Sequence, residues 1–361
     1  MGFHIRGRVL PRGERVDVYV EDGRFVSEPD GEVETVLEDA WLLPGLVDVH
    51  AHLALASPAG DDAAVAARVR ASGRAHLESG VLAVREPGSL DHSSTGLGPA
   101  DGMPRVHAAG RFLAPPGRYF PGLAREVHDD QLPDAAVEEL NAGGGHWAKI
   151  IGDSPVGQPH LAATFSTSAL AEAAVRVHAA GGRIAVHCSV PEVIQDAIDT
   201  GFDSLEHASL LRPDQVDALA AAGAAWVPTR IINSGIRHLI RDLGYPETVV
   251  REIERGLDRQ PEVLCAAAEA GVPLLAGTDA GMGPHGMIRT EIQLLLAAGL
   301  SPDVALGAAS WSARTWLGLP GIEHGAPADL VAYRTDPRED VSALGSPSLV
   351  ILAGALLIDA R

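Results

Sequence analysis

Apolar and polar positions alternate along the first forty residues. Val16, Val18 and Val20 share one face, turn signals stand at Pro11-Arg-Gly13 and Glu21-Asp-Gly23, and Phe25 and Val26 follow the second turn. Period-two alternation bounded by Gly and Pro predicts a small β-meander. The pattern returns at the other end, in Ala328-Asp-Leu-Val-Ala-Tyr333, Leu349-Val-Ile-Leu352 and Gly354-Ala-Leu-Leu-Ile358. Neither end has enough strands to be stable alone, so residues 1–44 and 325–361 are expected to pair into one composite β-sandwich domain.

Between them, short apolar runs alternate with helical stretches. The runs at 46–50, 81–85, 105–109, 147–151, 183–187, 203–207, 225–229 and 273–277 read as eight strands. Helix starts are marked by Ser166-Thr-Ser168 and by prolines with an acid behind them, at Pro191-Glu192, Pro213-Asp214 and Pro302-Asp303. A proline in the first turn costs no hydrogen bond, and an acid there meets the positive end of the helix dipole. Eight strands alternating with helices over residues 45–324 predict an α/β fold, a (β/α)8 TIM-like barrel.

Composition narrows the function. With 361 residues, 46% of them apolar, the chain can bury a large core. A net charge of −20 repels phosphates, which disfavours nucleic acid and anionic membranes as partners. The longest apolar run, 349–358, is broken by Gly354 and too short for a bilayer, and the start of the chain lacks the apolar core of a signal peptide. Cys188 and Cys265 make no disulfide framework, and Cys188 is expected to face the core. A cytoplasmic enzyme acting on a small molecule is expected, with homo-oligomerisation open.

One lysine, Lys149, stands among 28 basic residues. Arginine can replace lysine where only charge matters, but not where a nucleophilic amine is needed. Lys149 also falls at a strand end, as do His50 and His52 on the first strand, His187 on the fifth, His207 on the sixth and Asp279 after the eighth. A lone strand-end histidine is usually a hydrogen-bonded core residue. Six metal-competent groups at the end where barrel enzymes carry their chemistry are not a coincidence of that kind.

Pro44-Gly-Leu-Val-Asp-Val-His-Ala-His52, Lys149, His187, Leu205-Glu-His207 and Gly277-Thr-Asp-Ala280 together resemble the amidohydrolase superfamily. Gly325-Ala-Pro-Ala-Asp-Leu330 is similar to that superfamily's return into its β-domain, with Ala328 where lysine is common. Ser204-Leu-Glu-His-Ala208 and Val227-Pro-Thr229 resemble the imidazolonepropionase-like group, which includes Xaa-Pro dipeptidases and N-acyl amino acid hydrolases. The resemblance implies two divalent metal ions, best matched by Zn2+. His50, His52 and Asp279 would hold one, His187 and His207 the other, and a CO2-derived carbamate on Lys149 would bridge them. It implies hydrolysis of an amide bond in an N-acyl amino acid or dipeptide by a metal-bridging hydroxide, with Asp279 also moving protons.

Substrate contacts are expected from His285 in Gly283-Pro-His-Gly286, from Tyr119 in a Pro-rich loop, and from Arg111 or Arg230 as a carboxylate clamp. The loop 150–155 lacks the longer Gly-rich form associated with prolidase-like members, which argues against proline specificity. Three alternatives stay open: a one-metal heterocycle deaminase, a lactone or cyclic amide hydrolase, and a non-catalytic relative. Against the first, Val190 stands where a deaminase would carry its proton-shuttling glutamate, and only Glu192 or Glu206 is near to replace it.

Overall fold

The computed structural model describes residues 2–55, 62–154, 156, 161–242 and 244–360. Met1, Pro155, His160 and Arg361 lie outside the described residues. The fold is mixed α/β. The two chain ends meet in one seven-stranded sheet, in which Phe3–Val9 lies between Glu14–Glu21 and Glu34–Leu43, while Leu330–Tyr333, Leu349–Leu352 and Ala355–Asp359 continue it from the Glu34–Leu43 edge. Alternation explains why this sheet is buried on both faces. Leu330, Ala332, Leu349 and Ile351 pack with Ile5, Val20 and Leu42, whereas Val331, Tyr333, Val350 and Leu352 point into the main core of the α/β part.

The central segments pair in parallel. Leu46–Asp48, Val81–Glu86 and Arg105–Ala108 form one sheet; Trp147–Ile151, Arg183–Cys188, Ser204–His207 and Ala225–Val227 form another. A single bridge, Ala109 to Trp147, joins them on one side, and on the other Trp226 bridges Leu274. The N–H of Val49 then donates to the Ala276 carbonyl at 3.0 Å, and Ala51 bridges Ala280. The parallel contacts thus run from the first strand through the seventh to residues 274–280 and back to the first.

The eighth expected strand, 273–277, is therefore not a ladder-paired strand. The reason is visible in its neighbours: Ala276 donates to the Ala308 carbonyl and Val47 donates to Ala309, so the 308–309 turn takes hydrogen bonds that a ladder would use. The expected third strand is longer in effect, because Phe112–Ala114 continues the course of Arg105–Ala108 and pairs with Trp147–Ile151.

Helices start where the capping signals stand. Ser166 accepts from the Ala169 N–H at the head of Thr167–Ala179, whose Leu170, Ala173, Ala174 and Val177 form the buried stripe. Burying each large apolar side chain of this kind stabilises the fold by roughly 1.5–3 kcal/mol. Pro191–Asp199 and Pro302–Gly307 likewise begin on their prolines. Among the described residues no helix is long and apolar enough to cross a membrane.

Candidate metal centre

Strand parity sorts the side chains. In Trp147–Ile151, Ala148 and Ile150 pack outward with helix residues such as Leu140 and Ala173, which turns Lys149 and Ile151 into the central cavity. In Arg183–Cys188, Ile184, Val186 and Cys188 face the same helical layer, so His187 reaches the cavity. Cys188 is core, as its position after His187 implies.

The ligand positions on the first and sixth strands depend on a break in that parity. The first strand ends at Asp48, and a bend at 49–50 re-aims His50 and His52. Asp48 fixes this bend, accepting hydrogen bonds from the N–H groups of His50 and Thr278 and from the Thr278 hydroxyl. On the sixth strand, alternation would place Glu206 and His207 on opposite faces. His207 and Ala208 have φ of 65° and 41°, and this left-handed turn brings the His207 ring back to 4.7 Å from His187 and 4.9 Å from His50, centroid to centroid. Asp279 also has positive φ, at 53°. Each such residue costs on the order of 1–3 kcal/mol, and strain of this kind gathers at functional sites.

The structure brings all six expected groups together. His50, His52 and Asp279 place ligand atoms within 4.8 Å of one another. The Nε2 atoms of His50 and His52 lie 3.3 and 3.1 Å from Oδ1 of Asp279. Their tautomers are set from behind: Nδ1 of His50 donates to Glu206 at 2.6 Å, and Nδ1 of His52 donates to the Gly88 carbonyl at 2.7 Å. With Nδ1 the donor behind each ring, both Nε2 atoms face Asp279, the side on which a neutral imidazole could ligate a cation. His207 Nδ1 is hydrogen-bonded to the Thr229 hydroxyl at 2.7 Å.

Charge states follow from burial and neighbours. Burial, reinforced by the Lys149 charge, pushes His187 down to about 3, and burial next to His187 also holds His207 well below its ordinary value. Burial lowers His52, whereas for His50 it is outweighed by the charges of Asp279 and Glu206 together, which raise it. Asp279 is buried, yet the His50 charge and hydrogen bonds from both imidazoles hold it well below the usual carboxylate range. Lys149 is lowered to about 8, chiefly by burial, and its Nζ is a buried polar atom with no hydrogen-bond partner among the described residues. An orphaned amine of this kind costs about 1–3 kcal/mol or more unless something else satisfies it.

The substrate-contact expectations divide. Tyr119 lines the cavity, its ring 6.2 Å from His187, and burial raises its hydroxyl so that it stays protonated. His285 sits behind, with Nδ1 3.1 Å from Nε2 of the buried His76. Arg230 is turned to Gln260, and Arg111 lies beside Glu139, which accepts its backbone N–H; neither lines the cavity. Glu206 is a site residue that sequence reasoning placed only as a stand-in proton shuttle. Its oxygens are instead taken by Arg85, Ser204 and His50, and Glu192 is exposed on its helix.

The sequence model of the Amidohydrolase family matches residues 41–357. An uncharacterized protein of Mycobacterium tuberculosis is 36% identical over 357 residues, covering 98% of this chain and 95% of its own. Among solved structures, a Xaa-Pro dipeptidase with bound methionine superposes with a TM-score of 0.83 at 22% identity, covering 99% of this chain and all of that one. Aspergillus niger ochratoxinase superposes with a TM-score of 0.82 at 19% identity, over 99% of this chain and 96% of its own. At these identities the two structures show a shared fold.

Proposed function

Because the chain belongs to the Amidohydrolase family, we propose that it is a metal-dependent hydrolase that cleaves the amide C–N bond of a small molecule, of the size of an N-acyl amino acid or dipeptide. Residues 45–324 are read as a (β/α)8 catalytic barrel, supported by the run of parallel contacts that returns to Val49. Residues 1–44 with 325–361 are read as the composite β-domain that braces it.

The observation that carries the reading is the partnerless Nζ of Lys149, buried beside the four histidines and Asp279. An amine that burial has made easier to deprotonate is suited to take up CO2 as a carbamate, which supplies two anionic oxygens where arginine can supply none. With that carbamate, His50, His52 and Asp279 would hold one divalent cation and His187 and His207 a second, zinc being favoured by four imidazoles. Such ions supply Lewis acidity and a water acidified to near neutrality.

The chain's own residues supply the rest. Asp279, ionised at neutral pH, takes a proton from the attacking water and passes it to the departing nitrogen, which leaves as a neutral amine. Tyr119, kept protonated by burial, is placed to donate a hydrogen bond to the carbonyl oxygen as its charge builds. The deaminase alternative loses its candidate shuttle, since Glu206 is locked behind His50. A panel of neutral anilides and alkylamides, dipeptides, N-acyl amino acids, lactones and aminated heterocycles, incubated with zinc-loaded protein, tests the reading. Release of a free amine with its carboxylic acid is expected; ammonia release from a heterocycle without amide cleavage overturns it.

A further inference from the structure

The cavity in front of the candidate metal centre has a volume of about 470 Å³, within the range of small-molecule sites. Its polar groups sit at the inner end: the imidazoles, Lys149, Asp279, Thr278, and the hydroxyls of Ser189, Ser209 and Tyr119. Away from that end the wall is apolar. Phe120 and Leu123 belong to that lining, and so do Ile232, Ile236 and Ile240, which recur at every fourth residue along the segment that covers the cavity. Among the described lining residues no arginine appears, and Lys149 is the sole lysine. Residues 56–61, 155, 157–160 and 243 contribute no arginine or lysine either.

Arg111, Arg118 and Arg230 are all absent from the described lining, although Nε of each is buried without a hydrogen-bond partner among the described residues. Arg230 donates to Gln260, and Arg118 donates to the carbonyls of Ala162 and Ala163. Two backbone hydrogen bonds hold the Arg230 segment down, because Glu291 accepts from the N–H groups of both Arg230 and Ile231 at 2.8 Å. A substrate carboxylate in the outer cavity would lose its water and meet no arginine there. An unpaired buried charge is costly.

Resting on the reading of this site as an amide hydrolase, we infer that it selects amides whose flanking groups are apolar and uncharged, and discriminates against those carrying a free carboxylate on the leaving side. Ile232 and Ile236 are the specificity-determining residues on the cover. The preference is a property of binding, so it is measurable apart from turnover.

The test uses a pair of unreactive ketones in which CH2 replaces the amide nitrogen: 1-phenylheptan-2-one and its para-carboxylate, 4-(2-oxoheptyl)benzoate. Calorimetric titration of both into zinc-loaded protein is expected to show the neutral ketone binding at least about tenfold more tightly. Ile236→Arg, and Ile232→Arg as a second variant, each checked for native circular dichroism, are expected to reverse the order by pairing the carboxylate. Equal or tighter binding of the carboxylate to the natural protein, or no saturable binding of the neutral ketone, overturns the inference. Turnover of the parent anilides, N-phenylhexanamide and 4-(hexanoylamino)benzoate, is assayed separately. Binding with the expected preference but no amide cleavage would overturn the hydrolase reading and leave the cavity's selectivity standing.

Discussion

Glu206 and His50, far apart in sequence, meet at 2.6 Å, with the carboxylate accepting from the imidazole Nδ1. Arg85 holds the same carboxylate through bonds of 2.7 and 2.8 Å, and itself lies against the adjoining rings of Trp147 and Trp316, 4.8 and 5.3 Å from their centres. The result is a buried chain, aromatic pair to guanidinium to carboxylate to imidazole, that fixes both the ring angle and the tautomer of His50. It turns Nε2 toward Asp279, at 3.3 Å.

Glu206→Gln is therefore expected to weaken zinc binding about 10- to 100-fold, since an orienting carboxylate is replaced by an amide that must also leave Arg85 without a charge partner. Competition with a chromophoric chelator measures this. Affinity within twofold of the natural protein would show that Glu206 is only a structural anchor for Arg85.

Lys149→Ala and Lys149→Arg are both expected to abolish amide hydrolysis, because neither side chain can form a carbamate. Short carboxylic acids added to the alanine variant should restore part of the activity by standing in for the lost oxygens. Natural turnover in Lys149→Arg would reduce the lysine to a simple charge.

How much of this was legible in the sequence depends on whether a side chain's role is set locally. Lys149 and His187 follow from strand parity, and Ser166 from capping, so position alone placed them. His207 does not follow from parity: alternation opposes it to Glu206, and only the positive φ at 207 and 208 lets both be used. That turn depends on contacts such as the one with Thr229, 22 residues on, which no local pattern encodes. Arg230 and Arg111 were sound candidates for a carboxylate clamp by residue type. Their actual environments, Gln260 and Glu139, are set by tertiary packing. The isoleucine row 232, 236, 240 has helical spacing and was readable as an apolar face. What it faces was not.

A different buried carboxylate gives a pH signature. Asp153 accepts hydrogen bonds from the N–H groups of Ser189 and Val190, but burial dominates and pushes it up to about 7. In the unfolded chain it titrates near 3.9, so the folded state holds its proton more tightly. Its contribution to stability is complete below about pH 4 and is lost as pH rises through about 7. Asparagine keeps an acceptor and cannot ionise. The stability of Asp153→Asn relative to the natural protein should therefore improve between pH 5 and pH 8, by on the order of 2–3 kcal/mol, in urea denaturation. An unchanged difference would mean that Asp153 titrates normally.

The proposed binuclear centre is tested most directly by metal stoichiometry at full activity. Protein stripped of metal is titrated with zinc in bicarbonate buffer, and amine release from an amide substrate is followed at each addition. Activity that rises until two equivalents per chain are bound, with no further gain beyond, is the expected result. A plateau reached at one equivalent would contradict a carbamate-bridged pair and leave His50, His52 and Asp279 as a mononuclear site.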